Sequence, residues 1–220
     1  MHEFTPWPKT KRLFRDIVVT EKLDGTNSAI HVTAVPHDEP GELTVWDGHW
    51  TSPVVDGVRY VVSAQSRNRI ITPGKTTDNY GFAGWVYDNA AELVEILGEG
   101  THFGEWWGRG IQRGYGLDGK RFSIFNTARW WAVDEEAGTS MDGRATQSDL
   151  CGQIDAAPVL YEGVFSEAAI ASALRDLKTD GSYAAPGFMN PEGICIYHTQ
   201  TRGVFKVTLD NNDAGKWEAA

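Results

Sequence analysis

The amino-acid sequence predicts an α+β fold built mainly from antiparallel sheets. Three observations support this: eight short segments rich in β-branched and aromatic residues, only two segments with helical periodicity, and no strict alternation between the two kinds. Regular alternation would favour a parallel sheet, whereas strands that follow one another favour antiparallel pairing. The 220 residues contain no internal repeat and no long linker, so we expect one domain over 1–220.

Each predicted element has its own local signal. The strands are short apolar runs bounded by turn residues. They cover 16–21, 26–35, 42–46, 54–63, 101–107, 121–125, 193–198 and 203–209. One helix is predicted over 82–97, where apolar residues recur every three or four positions, and it ends at Gly98. A second helix is predicted from the N-cap residue Ser166 to about Lys178.

Composition and charge exclude several classes of protein. The chain has 20 Lys and Arg against 30 Asp and Glu, a formal charge of −10 at pH 7. This excludes coating of nucleic acid through bulk positive charge, although a local basic groove is compatible with it. No segment is apolar over the roughly 20 residues that span a bilayer, and the N-terminus lacks the apolar core of a signal peptide. We therefore expect a cytoplasmic protein with no membrane partner. The six histidines lack metal-ligand spacing, so no zinc site is expected.

The most informative segment is Thr20-Glu-Lys-Leu-Asp-Gly-Thr-Asn27, which places Lys22 between two predicted strands. On its own, Asp24-Gly25 is equally consistent with a hairpin turn. Lys-x-Asp-Gly is also similar to the nucleotide-acceptor motif of the covalent nucleotidyltransferases, which include polynucleotide ligases and mRNA capping enzymes. The longer string Glu-Lys-x-Asp-Gly-Thr-Asn resembles the RNA ligase branch of that superfamily.

Further motifs resemble those of the same superfamily and follow in its order. They are Ser66-Arg67-Asn68, Phe103-Gly-Glu-Trp-Trp107, Phe122-Ser-Ile-Phe125, Glu192-Gly193 and Val204-Phe-Lys-Val207. Each motif is weak alone, but the ordered set extends over 20–208, nearly the whole chain. The resemblance implies a nucleotidyltransferase (ATP-grasp-like ligase) domain of mainly antiparallel sheets flanked by helices. It also implies an ATP-dependent RNA ligase with a role in RNA repair.

The resemblance assigns the nucleotide chemistry to the segment around Lys22. The neutral amine of Lys22 would attack the α-phosphate of ATP and carry a covalent AMP. Asp24 and Asn27 would hold the loop and contact phosphate or sugar, and Gly25 would give the backbone freedom to approach a phosphate. Glu21 would help to read the adenine edge. As a surface acid it would need no such role, and the residues alone do not decide between the two interpretations.

The later motifs are expected to complete the nucleotide site. Glu105 would bind the ribose hydroxyls, and Arg67 a phosphate or the nucleic-acid end. Phe122 and Phe125 are three residues apart and face opposite sides of a regular strand, so one can stack on adenine while the other enters the core. The resemblance favours Phe125 as the stacking ring, because it precedes Asn126, where the family often has Asp. The neighbouring Trp106 and Trp107 are interpreted as packing residues. Because these roles come from the resemblance, they are expectations.

Two residues near the end of the chain are expected to act on the phosphates. Glu192 would hold Mg²⁺ or Mn²⁺, directly or through water, and Lys206 would contact the α-phosphate. The superfamily usually has two lysines in the last motif, separated by one residue, whereas Thr208 occupies the second position here. Arg202 is a candidate to replace the missing charge.

We expect no OB-fold or helical domain after the last motif, because the chain ends about 14 residues beyond Lys206. Grip on RNA would then come from basic clusters or from a protein partner. The clusters are Lys9, Lys11, Arg12 and Arg15 near the start, and Arg109, Arg113, Lys120 and Arg121 in the middle of the chain. Either cluster is equally consistent with a solvated face.

Several interpretations of the function stay open. The RNA substrate would be a nicked duplex, an RNA/DNA hybrid, a single strand or a tRNA break. A minimal DNA nick ligase shares the first step, and a capping-type guanylyltransferase would use GTP instead of ATP. From a different class, a non-catalytic nucleotide or nucleic-acid binding module of the same fold would bind ATP without forming a covalent adduct.

Overall fold

The protein has the predicted α+β fold, with few helices and mostly antiparallel sheets. The computed structural model describes residues 3–35, 50–130, 132–134, 138–140, 150 and 152–210. The predicted strand 42–46 lies outside these residues. Residue contacts divide the chain into two compact units, Met1–Lys22 with Pro158–Ala220 (unit 1) and Leu23–Ala157 (unit 2).

The strands are numbered in chain order. They are β1 Asp16–Lys22, β2 Thr26–Ala34, β3 Val54–Val55, β4 Val58–Ser66, β5 Ile70–Ile71, β6 Gly100–Gly108, β7 Lys120–Ile124, β8 Ala132–Asp134, β9 Gly138–Ser140, β10 Ile154–Ala156, β11 Val159–Val164, β12 Gly193–His198 and β13 Gly203–Thr208. The helices are α1 Phe82–Asp88, α2 Ala90–Leu97, α3 Thr127–Trp130 and α4 Glu167–Asp180.

Unit 1 contains a four-stranded antiparallel sheet in the order β11-β1-β12-β13. Alternate residues of β1, beginning with Ile17 and Val19, point to one face and pack with Leu177 of α4. The helix begins as predicted, because the Ser166 hydroxyl oxygen accepts a hydrogen bond from the Ala169 amide at 3.2 Å. The opposite face of β1 carries Lys22.

Unit 2 contains a larger sheet in the order β10-β7-β6-β2-β4-β3, with β5 paired to β4. Only β10 and β7 run parallel, and the other pairs of this sheet are antiparallel. Helices α1 and α2 pack against β3 and β4. An aromatic group at the centre of this core includes Phe82, Trp106 and Phe122, with ring centroids 5.3 Å from Phe82 in both cases.

Two predicted elements are divided in the structure, and several strands were not predicted. The predicted helix 82–97 is two helices, because Asn89 leaves the helical conformation (φ −114°, ψ 18°) and its side-chain amide donates to the Trp85 carbonyl at 2.7 Å. The predicted strand 54–63 contains a tight turn, since Asp56 (φ 49°) and Gly57 (φ 78°) both adopt the left-handed conformation that two-residue hairpins require. The sequence analysis also missed the short strands β5, β8, β9 and β10, and the strand β11.

The strands on either side of Lys22 do not form a hairpin. β1 pairs with β11 and β12, whereas β2 pairs with β4 and β6. The hairpin interpretation of Asp24-Gly25 is therefore wrong, and the chain passes from unit 1 to unit 2 between Lys22 and Leu23. Within the described part of the chain, no helix is long and apolar enough to cross a membrane.

Candidate active site

Lys22 is the last residue of β1, and its side chain contacts a second predicted site residue. In the sheet register Lys22 lies opposite Gly193, and Gly193 lies opposite Thr208. The Lys22 Nζ donates to Glu192 Oε2 at 2.5 Å, and the two side chains are only 22% and 16% exposed. The structure thus brings together two predicted site residues that are 170 positions apart in the chain.

The backbone at Gly193 allows the last two strands of this sheet to lie close together. Gly193 has φ 152°, and a Cβ at this position would come within 2.8 Å of the Thr208 Cα. A side chain here would force β13 away from β12. The Glu-Gly pair of the motif therefore has a structural reason, since the glycine keeps Thr208 in the same row as Lys22.

Lys206 lies on the same face of this sheet as Lys22. It is opposite Cys195, which is opposite Thr20, two residues before Lys22 in β1. From the usual spacing of strands and residues, the Cα atoms of the two lysines are about 12 Å apart. Both side chains can therefore reach toward one phosphate group on this face.

Arg202 does not replace the missing second lysine. It lies with φ 55° in the turn between β12 and β13, next to the pair His198 and Gly203. The row of Lys22 and Thr208 is five residues away along β12, or about 17 Å. The predicted compensation is therefore wrong. Thr208, which is 9% exposed, leaves the row of Lys22 without a second cation.

Glu21 is buried within unit 1, with 2% of its surface exposed. Its Oε1 accepts from the Ser182 hydroxyl at 2.6 Å, and its Oε2 accepts from the backbone amides of Tyr183 and Ala184 at 2.9 and 3.0 Å. Burial raises the pKa of this carboxyl above its ordinary value, and the hydrogen bonds from Ser182, Ala184 and Tyr183 oppose the rise. The surface-acid interpretation is therefore wrong, and Glu21 anchors the segment after α4.

The loop after Lys22 is fixed by contacts inside unit 2. Asp24 Oδ2 accepts from Arg113 Nε at 3.0 Å, and the Asp24 amide donates to the Tyr115 hydroxyl at 2.9 Å. These contacts agree with the predicted loop-holding role of Asp24. They also give Arg113 a partner within the protein, so it is not simply one cation of a basic cluster.

Gly25 is required because the backbone of β6 lies against it. A Cβ here would collide with the Trp106 carbonyl oxygen and come within 2.7 Å of the Trp107 Cβ. The Gly25 amide donates to Glu105 Oε1 at 3.1 Å. The expected reason for this glycine, backbone freedom, differs from the structural one, because Gly25 is absent from the residues with positive φ.

Two predicted site residues, Asn27 and Glu105, share one face of the sheet in unit 2. Asn27 lies opposite Glu105, and Glu105 lies opposite Ser123, so the three side chains form a row across β2, β6 and β7. Arg67 follows directly after β4, which ends opposite Ser28. Arg67 is exposed in the turn between β4 and β5.

The aromatic residues near this face divide as predicted. Phe122 is fully buried, whereas Phe125 is 44% exposed. Trp106 and Trp107 are 3% and 1% exposed, which confirms their interpretation as packing residues. Phe103, which the sequence analysis did not single out, is 47% exposed, and its carbonyl accepts from the Phe125 amide at 2.9 Å.

The residues present fit a hard divalent cation through Glu192. Mg²⁺ in nucleotide enzymes is usually bound by one or two carboxylates together with substrate phosphates and waters. Among the described residues there is no group of three or more His, Cys, Asp or Glu that would hold a metal without a substrate. Glu192 therefore remains the predicted ligand for Mg²⁺ or Mn²⁺.

Sequence reasoning missed the residues that hold the predicted ones in place. Ser182 is 161 positions from Glu21, and Arg113 and Tyr115 are 89 and 91 positions from Asp24. These partners carry no motif of their own. They are visible only when the chain is folded.

The family model for RNA ligase matches residues 15–208, so the chain belongs to this family, which confirms the resemblance. No curated protein matches the chain.

The fold resembles solved structures of Naegleria gruberi RNA ligase, each 16% identical in sequence. A lysine-to-alanine variant with ATP and Mn has a TM-score of 0.50 and covers 89% of this chain and 49% of its own. A second such variant with ATP and Mn and a structure with PPi both have TM-scores of 0.49 and cover 89% and 50%. The chain thus spans about half the length of these proteins.

Proposed function

We propose that the protein is an ATP-dependent RNA ligase that carries AMP on Lys22. The observation behind this proposal is the 2.5 Å contact between Lys22 Nζ and Glu192 Oε2, in a chain of the RNA ligase family. Glu192 holds the amine in one place at the end of β1. A nucleophile positioned before substrate arrives lowers the entropic part of the barrier.

The proposed first step joins Lys22 to the α-phosphate of ATP. The lone pair of Nζ attacks the α-phosphorus, the N–P bond forms, and the bond to the bridging oxygen of the β-phosphate breaks. Pyrophosphate leaves with that electron pair, and the amine loses a proton. AMP then passes to a 5′-phosphate end of RNA, and a 3′-hydroxyl attacks the activated phosphate and releases AMP.

In this proposal Glu192 accepts a proton from Lys22 and is the ligand of Mg²⁺ or Mn²⁺. The ammonium form of Lys22 has no lone pair, so Lys22 must lose a proton before it attacks. The contact with Glu192 therefore represents a resting state. Glu192 lies within hydrogen-bond distance of that proton. When bound, Mg²⁺ or Mn²⁺ would supply positive charge at the phosphates and the leaving group. A structure of similar fold contains ATP and Mn, the ligands proposed here.

Each unit contains residues that suit one part of a nucleotide. Lys206 is exposed on the face of Lys22 and suits the α-phosphate. Asn27 and Glu105 are neighbours in one row of the other sheet and suit a sugar, and the exposed ring of Phe125 suits a base. These roles extend the expectations from the sequence.

The test is incubation of the protein with magnesium and α-labelled ATP, followed by intact mass and a denaturing gel. We expect an adduct of about 329 Da, the mass of AMP joined through a phosphoramidate. Lys22→Ala should abolish it, whereas Lys178→Ala, an exposed lysine on α4, should leave it unchanged. An adduct with GTP instead of ATP would indicate capping chemistry.

A second set of assays identifies the strand substrate. Nicked duplexes with RNA or DNA on the 3′-hydroxyl side separate an RNA ligase from a minimal DNA nick ligase. We expect faster sealing when the 3′-hydroxyl strand is RNA. Equal or faster sealing of an all-DNA nick would favour the DNA ligase interpretation.

A non-catalytic binding module is the second candidate, because Thr208 leaves the row of Lys22 without a second cation. This candidate predicts that folded protein binds ATP without forming an adduct. The same mass measurement, combined with equilibrium ATP binding, distinguishes it from the ligase.

A further inference from the structure

A groove of about 460 Å³ lies within unit 1, away from the face of the sheet that carries Lys22. Its floor is formed by apolar side chains, which are Phe165, Ile170, Ile196, Phe205 and Val207. A volume of this size is in the range of small-molecule and cofactor sites. None of the residues predicted to bind or transfer the nucleotide lines it, whereas Lys11 and Arg12 of the predicted N-terminal basic cluster do.

The groove exists because α4 does not cover the whole sheet. Ile196 lies opposite Phe205, so both side chains point to the face against which α4 packs. The helix contacts β11 and β12. Ile196 is 5% exposed, whereas Phe205 on the edge strand β13 is 57% exposed. An exposed aromatic ring beside an apolar depression indicates a surface that binds a ligand or a partner molecule.

Lys11, Arg12 and Leu13 of the N-terminal segment 3–15 form one wall of the groove. The His198 ring nitrogen Nε2 lies 2.9 Å from the Leu13 carbonyl, and the Arg12 amide donates to Gln200 Oε1 at 2.7 Å. The Phe14 ring packs edge to face against Phe165, with centroids 5.9 Å apart. These contacts place Lys11 and Arg12 along the groove.

This segment is basic and aromatic in an acidic protein. It carries four cations against one acid, Glu3, while the whole chain has a charge of −10. The cations are Lys9, Lys11, Arg12 and Arg15. Within the described part of the chain, none of these four side chains forms an ion pair. Phe4 and Trp7 precede these cations in the chain and are 89% and 90% exposed.

We propose that segment 3–15 and the adjoining groove bind a single-stranded stretch of RNA, at a site separate from the nucleotide-transfer residues. Single-stranded nucleic acid presents an anionic backbone with a π-face at every unit, and proteins bind it with cationic grooves and exposed aromatic rings. The charge of the wall and the rings of Trp7 and Phe205 complement both features. The proposal rests on the proposed RNA ligase function, since it names where that enzyme grips its substrate.

The observations favour RNA over an apolar peptide. An apolar peptide would cover Phe205 and the groove floor but would not use the unpaired cations of the wall. Phosphates neutralise such cations with release of counterions, and this makes the affinity dependent on salt. The salt dependence therefore distinguishes the two kinds of partner.

The experiment measures binding of a fluorescein-labelled 12-nucleotide single-stranded RNA by anisotropy at several salt concentrations. Lys11→Ala with Arg12→Ala should weaken binding about tenfold or more. It should also reduce the slope of log K against log salt by about 1.4, for two phosphate contacts. Trp7→Ala should weaken binding at least about fivefold, the lower end for loss of one stacked base.

The matched control is Arg175→Ala with Lys178→Ala, two exposed cations on α4. It removes the same charge from unit 1 and should leave the RNA affinity within about twofold of wild type. Lysine adenylylation with ATP, measured in the same preparations, should be unchanged in all of these variants. That readout also shows that each variant is folded.

Three results would overturn the inference: no RNA binding by the wild type, equal affinity and salt slope in wild type and groove variants, or an equal loss in the control. Equal affinity in wild type and groove variants would favour an apolar peptide as the ligand of the groove. Failure of the proposed function is distinguishable, because it would appear as absent adenylylation in the wild type itself.

Discussion

The burial of Glu21 makes a quantitative prediction about stability. Replacement by alanine removes a carboxylate that is 2% exposed and accepts from Ser182, Tyr183 and Ala184. Each buried donor left without a partner costs about 1 to 3 kcal/mol. Because water would enter part of the space, we expect Glu21→Ala to lower the free energy of unfolding by about 3 to 5 kcal/mol.

The assay is urea unfolding followed by tryptophan fluorescence. The midpoint should fall while the slope with denaturant stays the same, as expected for a change in stability alone. Glu162→Ala is the matched control, since Glu162 is an exposed acid on β11 of the same sheet. It should change the stability by less than about 0.5 kcal/mol. A loss below about 1 kcal/mol in Glu21→Ala would refute the anchoring role.

The same variant also tests the predicted contact of Glu21 with adenine. At a temperature where it is fully folded, we expect its ATP affinity to remain near that of wild type, because both carboxylate oxygens already accept hydrogen bonds inside unit 1. A loss of ATP affinity in folded protein, without the same loss for GTP, would support direct reading of the base.

Three further predictions concern Glu21, Gly25 and the Asp24–Arg113 contact. Burial raises the pKa of Glu21 from its ordinary value of 4.5, so its carboxyl binds more protons when folded. Its contribution to stability is then largest below pH 4.5 and is lost as the pH rises through the folded pKa; Glu21→Gln should remove this slope from pH-dependent urea unfolding. Gly25→Ala should cost about 1 to 3 kcal/mol in thermal unfolding through overpacking, whereas Gly119→Ala, with open space around it, should cost less. Arg113→Ala should free the Asp24 loop and slow adduct formation severalfold in single-turnover assays, and unchanged kinetics would contradict the loop-holding role.

The Asp24–Arg113 pair should contribute only modestly to the free energy of unfolding. Its side chains are 26% and 17% exposed, and pairs with partial solvent access contribute about 1 kcal/mol or less. We therefore expect Arg113→Ala to affect the reaction more than the melting temperature. A large fall in the melting temperature with unchanged adduct formation would contradict this prediction.

The elements with strong local signals could be predicted from the sequence. The helix after Ser166 begins where the N-cap residue indicates, since capping depends on residues within one turn. The division of the first helix at Asn89 could not be read from apolar spacing, because the spacing continues through the break. The turn at Asp56-Gly57 did carry a known signal, which the apolar residues on both sides obscured.

The family and the order of its motifs are recognisable without a structure, because Lys22, Glu192 and their neighbours form characteristic strings of residues. Which of these residues meet depends on the folded chain. The contact of Lys22 with Glu192 depends on pairing between β1 and β12, and the burial of Glu21 depends on the segment after α4. Such partners are more than 150 positions apart, and no local propensity encodes a contact that strand pairing creates.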